Sequence, residues 1–272
     1  MLNFAIKTAK KAGTLLLEKS KTNFEVTKKG IRDLVTEADE AAEKLIIEEI
    51  RKKYPDHGII AEESHSKNGY NSGELAKAPY IWILDPLDGT TNYTMGLPQY
   101  AVSIGVFKNK KTSKSKNYDY LEGEMVLGVV YAPELKELFH AEKGKGAYLN
   151  KKKIKVGDTE KIIDSVFVTG FPYKNKTVNL PYLSAILDKC RGIRRFGAAA
   201  LDLCYVAKGT FDAYWELDLK PWDIAGGALI AKEAGAKVTD INGEQLDLFG
   251  TDILTANPKL HKKISKLFNS LP

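Results

Sequence analysis

The amino-acid sequence predicts an α/β fold, with an α+β N-terminal half and an α/β C-terminal half. Two observations lead to this prediction. In the first half, two amphipathic helical patterns precede a run of short strand patterns, whereas in the second half strand and helix patterns alternate. The 272 residues, 43% of them hydrophobic, suffice to bury a large core. We place a boundary near residue 145, which gives two tightly packed units, 1–145 and 146–272.

The first half begins with two predicted helices. Apolar residues recur at helical spacing over residues 3–19, and a second helical pattern runs from Thr36 to about Lys53, before Pro55. The segments HGIIAEES and YIWILD then follow as short buried strands. Further strands are predicted at Tyr100–Phe107, Glu124–Tyr131, Leu138–Ala141 and Gly146–Leu149.

The second half alternates between the two kinds of pattern. Strands are predicted at Ser165–Thr169, Ile193–Phe196, Phe211–Trp215, Ala236–Asp240 and Ile253–Ala256. Helices are predicted at about 178–189, 198–208, 222–234 and 258–269. Pro221 suits the first position of the third of these helices, and Gly235 suits the residue just past its end.

Composition restricts the compartment and the partners. The formal net charge is +6, yet only five of the 41 basic residues are arginines, which favour bidentate phosphate recognition. Two lysine clusters, Lys108–Lys116 and Lys151–Lys155, could attract a polyanion. No aromatic residue interleaves with their lysines, so nucleic acid is not expected as the main partner. Without a long apolar run or a signal-peptide pattern, a cytoplasmic protein with no membrane partner is expected.

The two cysteines do not indicate a metal site or a disulfide scaffold. Cys190 and Cys204 lack metal-ligand spacing, and two thiols are too few to staple a chain of this length. Both are expected to be small core or near-surface residues. Cys204 lies within the apolar stretch LDLCYVA and is expected to be buried.

Paired acids end the predicted strand in WILDPLDGTTN (82–92). Asp85 and Asp88 flank Pro86, which restricts the backbone, and Leu87 between them has a free carbonyl. Either acid could instead cap the next helix, because Gly89 and Thr90 are typical of a helix start, and DxxD spacing alone is weak evidence. Two carboxylates and a carbonyl in one tight turn nevertheless form an all-oxygen site suited to Mg²⁺. Metal binding is therefore favoured over capping.

A second pair of acids follows the apolar run GIIA. Strand alternation would point Glu62 and Glu63 to opposite sides, and periodicity does not choose which of them enters a site. Asp39 has a sufficient local explanation, because Thr36 and Asp39 fit a capping box without any catalysis.

Two acids in the second half also have local explanations. Asp223 lies in the first turn of a predicted helix, where the helix dipole favours a negative charge. Glu216 ends the strand FDAYWE and could be an exposed strand-end carboxylate. No local rule shows that any of these acids meet in the fold.

Six blocks of the sequence resemble the signature blocks of the inositol monophosphatase family, Mg²⁺-dependent and lithium-sensitive phosphomonoesterases. The blocks occur in order along almost the whole chain: LVTEAD (34–39), AEES (61–64), WILDPLDGTTN (82–92), GKGAYLN (144–150), RRFGAAALDL (194–203) and WDIAGGALIAKEAG (222–235). The resemblance implies a layered αβαβα sandwich of the sugar-phosphatase type, usually assembled as a homodimer. It also implies two or three Mg²⁺ ions in each active site.

The resemblance assigns roles position by position. It implies metal binding by Glu62, Asp85, the carbonyl of Leu87, Asp88 and Asp223. It implies that Asp39 and Thr90 orient the attacking water, with Asp39 also capping its helix. It implies substrate contacts by Gly89, Thr90, Ala199 and Glu216. Further candidates are Lys29 (with Lys28 as its neighbour), Glu63 and Arg194.

The substrate is open among several phosphate esters within this resemblance. Inositol-1-phosphate leads, and a fructose-1,6-bisphosphatase or a dual inositol and fructose phosphatase is the second hypothesis. A sugar bisphosphate would need a cation near its second phosphate, which Arg194, Arg195 or Lys220 could supply. Histidinol phosphate and nucleotide phosphates also belong to the range. A regulatory RNA- or protein-binding member of the family is the hypothesis from a different class.

Overall fold

The computed structural model describes residues 1–22, 26–28, 34–68, 72–110, 122–172 and 174–271. In this part of the chain the helices are α1 (Leu2–Lys19), α2 (Glu37–Lys53), α3 (Glu62–Asn68), α4 (Ser72–Leu75), α5 (Thr90–Thr94), α6 (Leu180–Leu187), α7 (Ala199–Ala207), α8 (Pro221–Glu233) and α9 (Pro258–Phe268). Two short 3₁₀ helices occupy Ile162–Asp164 and Lys176–Asn179.

The strands form two mixed sheets and a small hairpin. They are β1 (Val26–Lys28), β2 (Leu34–Thr36), β3 (Gly58–Ala61), β4 (Tyr80–Asp88), β5 (Ala101–Asn109), β6 (Gly123–Ala132), β7 (Glu137–Glu142), β8 (Ala147–Leu149), β9 (Lys152–Ile154), β10 (Val166–Thr169), β11 (Gly192–Arg194), β12 (Ala213–Leu217), β13 (Lys237–Thr239) and β14 (Asp252–Ala256). The larger sheet runs from β3 to β9 in chain order, with β3 parallel to β4 and the other pairs antiparallel. The smaller sheet has the order β11-β10-β12-β14-β13, and β1 pairs with β2.

Helices and sheets stack in five layers. Helices α1 and α2 bury Leu16 and Ile46 against one face of the larger sheet, which presents Trp82 and Leu84. Helices α7 and α8 fill the space between the two sheets. Helices α6 and α9 cover the far face of the smaller sheet, where they enclose Trp215. The predicted layered αβαβα sandwich is therefore confirmed.

Small residues let α8 approach the larger sheet closely. A Cβ on Gly128 of β6 would clash with the backbone of Gly226, and a Cβ on Gly105 of β5 would lie 2.7 Å from the Cβ of Ala225. A side chain at either glycine would push the helix away from the sheet. This contact places the first turn of α8 near the end of β4, where Asp85 and Asp88 lie.

Most predicted elements match the structure, and the main differences concern the end of β3, the pair β1 and β2, and β9. The strand after Pro55 ends at Ala61, and Glu62 begins helix α3, so strand alternation does not decide the directions of Glu62 and Glu63. The hairpin of β1 and β2 was not predicted. Strand β9 lies within the Lys151–Lys155 cluster, where the charge pattern hid it. Pro221 opens α8 and Gly235 follows it at φ 96°, as predicted.

Several predictions about composition also have an outcome. Cys204 is fully buried, as expected, and Cys190 is partly buried. Lys29 and residues 111–116 of the lysine cluster lie outside the described residues. Among the described residues, no helix is both long and apolar enough to cross a membrane.

Candidate active site

The end of strand β4 turns sharply and carries two buried carboxylates. The pairing of β4 with β5 shifts register between Asp85 and Asp88, and the Leu87 N–H donates to Oδ1 of Asp85 at 3.0 Å. Gly89 then adopts φ 90°, where a Cβ would lie 2.9 Å from the carbonyl oxygen of Gln99. Only glycine fits this left-handed turn without strain. The turn ends the strand and starts α5 in one step.

Helix α7 holds the carboxylate of Asp88 through its first backbone N–H groups. Ala199 N–H donates to Oδ1 at 3.1 Å, and Ala200 N–H donates to Oδ2 at 2.8 Å. These bonds satisfy helix-start donors that have no partner inside the helix. The predicted substrate residue Ala199 thus lies beside Asp88, and its backbone fixes the orientation of that acid.

Asp39 links the start of α2 to Thr90. The capping box is present, because Oδ2 of Asp39 accepts the Thr36 N–H at 2.8 Å while the Thr36 hydroxyl accepts helix N–H groups. Oδ1 accepts the Thr90 hydroxyl at 3.0 Å. The same hydroxyl lies 3.1 Å from the carbonyl of Leu87. A hydroxyl has one proton, so donation to Asp39 leaves the Leu87 carbonyl available to another partner.

The start of α3 distinguishes Glu62 from Glu63. The carboxylate of Glu43, on α2, accepts the N–H groups of Glu63 at 2.7 Å and Ser64 at 2.9 Å, and also the Ser64 hydroxyl. Glu43 therefore caps α3 from a neighbouring helix. Glu62 is partly exposed and acts electrostatically on Asp85, whereas Glu63 is buried. Of the two acids, Glu62 belongs to the cluster.

Asp223 approaches from the opposite half of the chain. It lies in the first turn of α8, and its Oδ2 accepts the Lys220 N–H at 2.7 Å. Burial raises the pKa of Asp223 well above its ordinary value, and Glu62, Asp88 and Glu216 raise it further. The predicted local role at the helix start is thus confirmed, and the structure adds proximity to the other acids.

The acids raise one another's pKa values. The pKa of Asp85 is raised well above its ordinary value by burial first, and then by Glu62, Asp88 and Asp223. Burial raises the pKa of Asp88 to about 7 against the opposing hydrogen bond from Ala200. Such mutual repulsion is relieved when a cation lies between the carboxylates. The all-oxygen donor set, with the Leu87 carbonyl, suits Mg²⁺.

The carboxylates are near one another but not gathered around one point. Within the described ranges, no group of three or more His, Cys, Asp or Glu side chains is arranged to hold a metal ion as it stands. Repelling carboxylates of this kind would be drawn inward by a bound cation. The donor chemistry, carboxylate and carbonyl oxygens, fits a divalent cation.

Glu216 lies near the end of β12 and is close enough to Asp88 to raise its pKa. Burial raises its pKa to about 7, while the Tyr214 hydroxyl, donating at 2.7 Å, and the Arg195 guanidinium lower it. Arg195 packs over Gly197. Arg194, a predicted candidate, instead donates from Nη1 to the carbonyl of Ile193 at 3.0 Å and is exposed.

Sequence reasoning missed three residues around this site. Glu43 carried no signal, because its role depends on a contact with α3 across the fold. Tyr214 could have been found, since it lies two residues before Glu216 and shares its face of the strand. Asp202, on α7, is fully buried with no hydrogen-bond partner among the described residues. Burial, Glu216 and Asp88 raise its pKa well above its ordinary value.

Comparison with known proteins identifies the class of this fold and site. The model of the inositol monophosphatase family matches residues 1–272, and the chain belongs to this family. Membership implies phosphatase chemistry, and the family generally uses Mg²⁺.

Individual relatives cover nearly the whole chain. The Nus factor SuhB of Pasteurella multocida is 40% identical over 269 residues, 97% of this chain and 94% of that protein. The structure of the extragenic suppressor protein suhB from Bartonella henselae has a TM-score of 0.86 at 37% identity and covers 98% of both chains. A Thermotoga maritima IMPase has a TM-score of 0.84 at 35% identity, covering 98% of this chain and 96% of that one.

Proposed function

We propose that this protein is an Mg²⁺-dependent phosphomonoesterase that hydrolyses inositol-1-phosphate. One observation carries the proposal: the hydrogen bond between Thr90 and Asp39 lies beside a cluster of mutually repelling carboxylates. A proton-accepting pair next to a cation site is the arrangement that phosphate hydrolysis by water requires.

The proposed cation site is built from both halves of the chain. The residues that would hold two or three Mg²⁺ ions are Glu62, Asp85, the Leu87 carbonyl, Asp88 and Asp223. When bound, Mg²⁺ would neutralise the phosphate and make a water molecule easier to deprotonate.

The proton path runs through two residues. Thr90 Oγ1 would accept the proton of the attacking water and pass its own proton to Oδ1 of Asp39 along the 3.0 Å hydrogen bond. The capping bond from Thr36 to Oδ2 keeps the other oxygen of Asp39 aimed at Thr90. Backbone N–H groups of Gly89 and Thr90 are proposed to hold the phosphate oxygens.

Glu216 and Ala199 are proposed to contact the alcohol part of the substrate. The Ala199 N–H donates to Oδ1 of Asp88, and Glu216 is close enough to Asp88 to raise its pKa. The carboxylate of Glu216 suits a polyol, whose hydroxyl groups can donate to it. This feature supports an inositol phosphate as substrate.

A fructose-1,6-bisphosphatase activity is the second substrate hypothesis. Of the three candidate cations, Arg195 acts on the Glu216 carboxylate, whereas Lys220 lies 3.7 Å from Asp218. A guanidinium in this place could bind a second phosphate. Phosphate release from inositol-1-phosphate and fructose-1,6-bisphosphate, measured side by side, would rank the two. A higher kcat/KM for the bisphosphate, reversed by Arg195→Ala, would favour the second hypothesis.

A regulatory role in binding RNA or protein is proposed as a second function that could coexist with the first. The relative in Pasteurella multocida is called a Nus factor, and this chain carries a net charge of +6. Binding of RNA that weakens steeply with salt and is lost on neutralising the lysines of 108–116 would support this role. RNA binding that changes neither with salt nor on neutralising these lysines would exclude them as the binding site.

The proposed assembly is a homodimer, as the family resemblance implies, and the proposed location is the cytoplasm, as the sequence pattern of the N-terminus predicts. Sedimentation of the purified protein at several concentrations would test the dimer. A single species of monomer mass at every concentration would contradict it.

A further inference from the structure

A buried tyrosine fixes one oxygen of Glu216. Tyr214 lies two residues before Glu216 on β12, so both side chains lie on the same face of the strand. The Tyr214 side chain is fully buried, and its hydroxyl donates to Oε2 of Glu216 at 2.7 Å. A hydrogen bond to a carboxylate is stronger than one between neutral groups. Tyr214 therefore restricts the rotation of the Glu216 carboxylate.

A glycine next to the neighbouring strand leaves space for the carboxylate of Glu216. Gly170 directly follows β10, which pairs with β12. A Cβ built on Gly170 would overlap all three carboxylate atoms of Glu216, far inside van der Waals contact. No side chain at position 170 is compatible with the observed position of Glu216.

The backbone of Gly170 is itself held in place by a buried network. Asn179 Nδ2 donates to the Gly170 carbonyl at 2.6 Å and to Thr169 Oγ1 at 3.0 Å. Trp215 Nε1 donates to Oδ1 of Asn179 at 2.6 Å. Asn179 thus ties the end of β10 to β12, which carries Glu216. Gly170 is held as a fixed support beneath the carboxylate.

We propose that Tyr214 and Gly170 are positioning residues that determine specificity, by holding Glu216 where it accepts a hydroxyl of the substrate's alcohol part. This inference rests on the proposed phosphatase function. Neither residue is among those proposed to contact the reacting phosphate. Their loss should therefore affect recognition of a polyol phosphate more than hydrolysis of a phosphate ester that lacks a polyol.

The test compares two substrates, inositol-1-phosphate and p-nitrophenyl phosphate, by kcat/KM with Mg²⁺. Tyr214→Phe should lower the ratio of the first value to the second by about tenfold, because it removes one hydrogen bond to a charged group. Gly170→Ala should lower the same ratio at least as much, because it displaces Glu216. Tyr205→Phe is the matched control, another buried tyrosine, whose ring packs against Lys208, and it should leave the ratio unchanged.

A variant cycle separates positioning from a general structural role. In a Glu216→Gln background, Tyr214→Phe should change the ratio by much less than in the wild type, because both act through one carboxylate. An equal loss of kcat/KM on both substrates would overturn this inference and leave the proposed function standing. An effect of Tyr214→Phe on the ratio that is as large in the Glu216→Gln background as in the wild type would do the same. Wild-type protein that releases phosphate from neither substrate would overturn the proposed function and this inference with it.

Discussion

The Thr90 hydroxyl donates a 3.0 Å hydrogen bond to Oδ1 of Asp39, joining two segments that lie 51 residues apart in the chain. The second oxygen of Asp39 completes the capping box of α2. One carboxylate therefore has a structural partner and a proposed catalytic partner at the same time. The stability of α2 and the orientation of the proposed proton acceptor therefore both depend on this single side chain.

Substituting these two residues should separate the roles. Thr90→Ala should lower kcat by about 10²–10⁴-fold, the range for a lost general acid–base group, while leaving the melting temperature nearly unchanged. Asp39→Asn should lower kcat similarly and also destabilise the fold by about 0.5–2 kcal/mol through the weakened cap. Phosphate release and urea denaturation measure the two effects. Thr91→Ala is the control, and wild-type turnover by Thr90→Ala would contradict the proton path.

Removing the carboxylate of Glu43 should disturb the cluster indirectly. Glu43→Ala leaves the N–H groups of Glu63 and Ser64 without their acceptor, at a cost of about 0.5–2 kcal/mol. Because Glu62 begins the same helix, the concentration of Mg²⁺ needed for half-maximal activity should rise.

Mg²⁺ titration of phosphate release is the measurement, with Glu48→Ala on the exposed face of α2 as the control. An unchanged Mg²⁺ requirement in Glu43→Ala would show that the cap does not position Glu62.

Repulsion among the acids should destabilise the metal-free protein, so removing one of the charges should raise its free energy of unfolding. Asp223→Asn keeps an acceptor for the Lys220 N–H but removes a partly buried charge whose pKa is raised. At pH 8, without Mg²⁺, the variant should be more stable than the wild type, because it lacks a charge that burial and the neighbouring acids disfavour. This gain should shrink at lower pH, where Asp223 is protonated in the folded protein.

Thermal denaturation with and without Mg²⁺ tests this account. The variant should gain less from Mg²⁺ than the wild type, because it has lost one proposed ligand. Asp218 is a nearby exposed acid, so Asp218→Asn is the control. It should change neither the stability without Mg²⁺ nor the stabilisation by Mg²⁺. If Asp223→Asn is less stable than the wild type at pH 8 without Mg²⁺, and if Mg²⁺ stabilises it as much as the wild type, Asp223 is neither a repelling charge nor a ligand.

His261 should make the fold sensitive to acid. Burial first, and then the charge of Lys237, lower the pKa of His261 to about 4. The unfolded chain has an ordinary histidine pKa near 6.5, so it binds a proton that the folded protein excludes. The stability contributed by neutral His261 is complete above about pH 6.5 and is lost as the pH falls towards 4, by up to about 3 kcal/mol.

Urea denaturation between pH 7.5 and 4.5 would measure this loss. His261→Leu loses the contact with Thr239, which lies 2.8 Å from Nε2, but should show a smaller loss of stability over this range. Carboxylates with raised pKa values make both proteins more stable as the pH falls. Subtracting the free energy of unfolding of the variant from that of the wild type at each pH removes this shared trend. Equal slopes for both proteins would exclude His261 as the source.

The elements of the fold were predictable where local chemistry marks their ends. Pro221 and Gly235 delimit α8 in the sequence and in the structure. Strand β9 was not predicted because a run of three lysines lacks the alternation of apolar and polar residues that marks a strand. It is an edge strand that is held by backbone pairing with β8. The end of β3 was misplaced because Glu62 starts a helix that is capped by Glu43, from a different helix. Contacts of this kind are absent from local patterns.

The candidate site was predictable only in its parts. Asp39 and Asp223 each had a sufficient local explanation, and the structure confirms both while adding their proximity to other acids. That proximity depends on glycines such as Gly226, which set the distance between α8 and the sheet. Only the family resemblance anticipated that the acids meet. The support of Glu216 by Gly170 required coordinates.

Phosphate release from inositol-1-phosphate at increasing Mg²⁺ concentrations is the direct test of whether the acid cluster binds Mg²⁺ for phosphate hydrolysis. We expect release that requires Mg²⁺, stops on chelation and is absent in a folded Asp85→Asn variant. Release that persists in the presence of a chelator, or wild-type turnover by Asp85→Asn, would show that the cluster does not act through Mg²⁺.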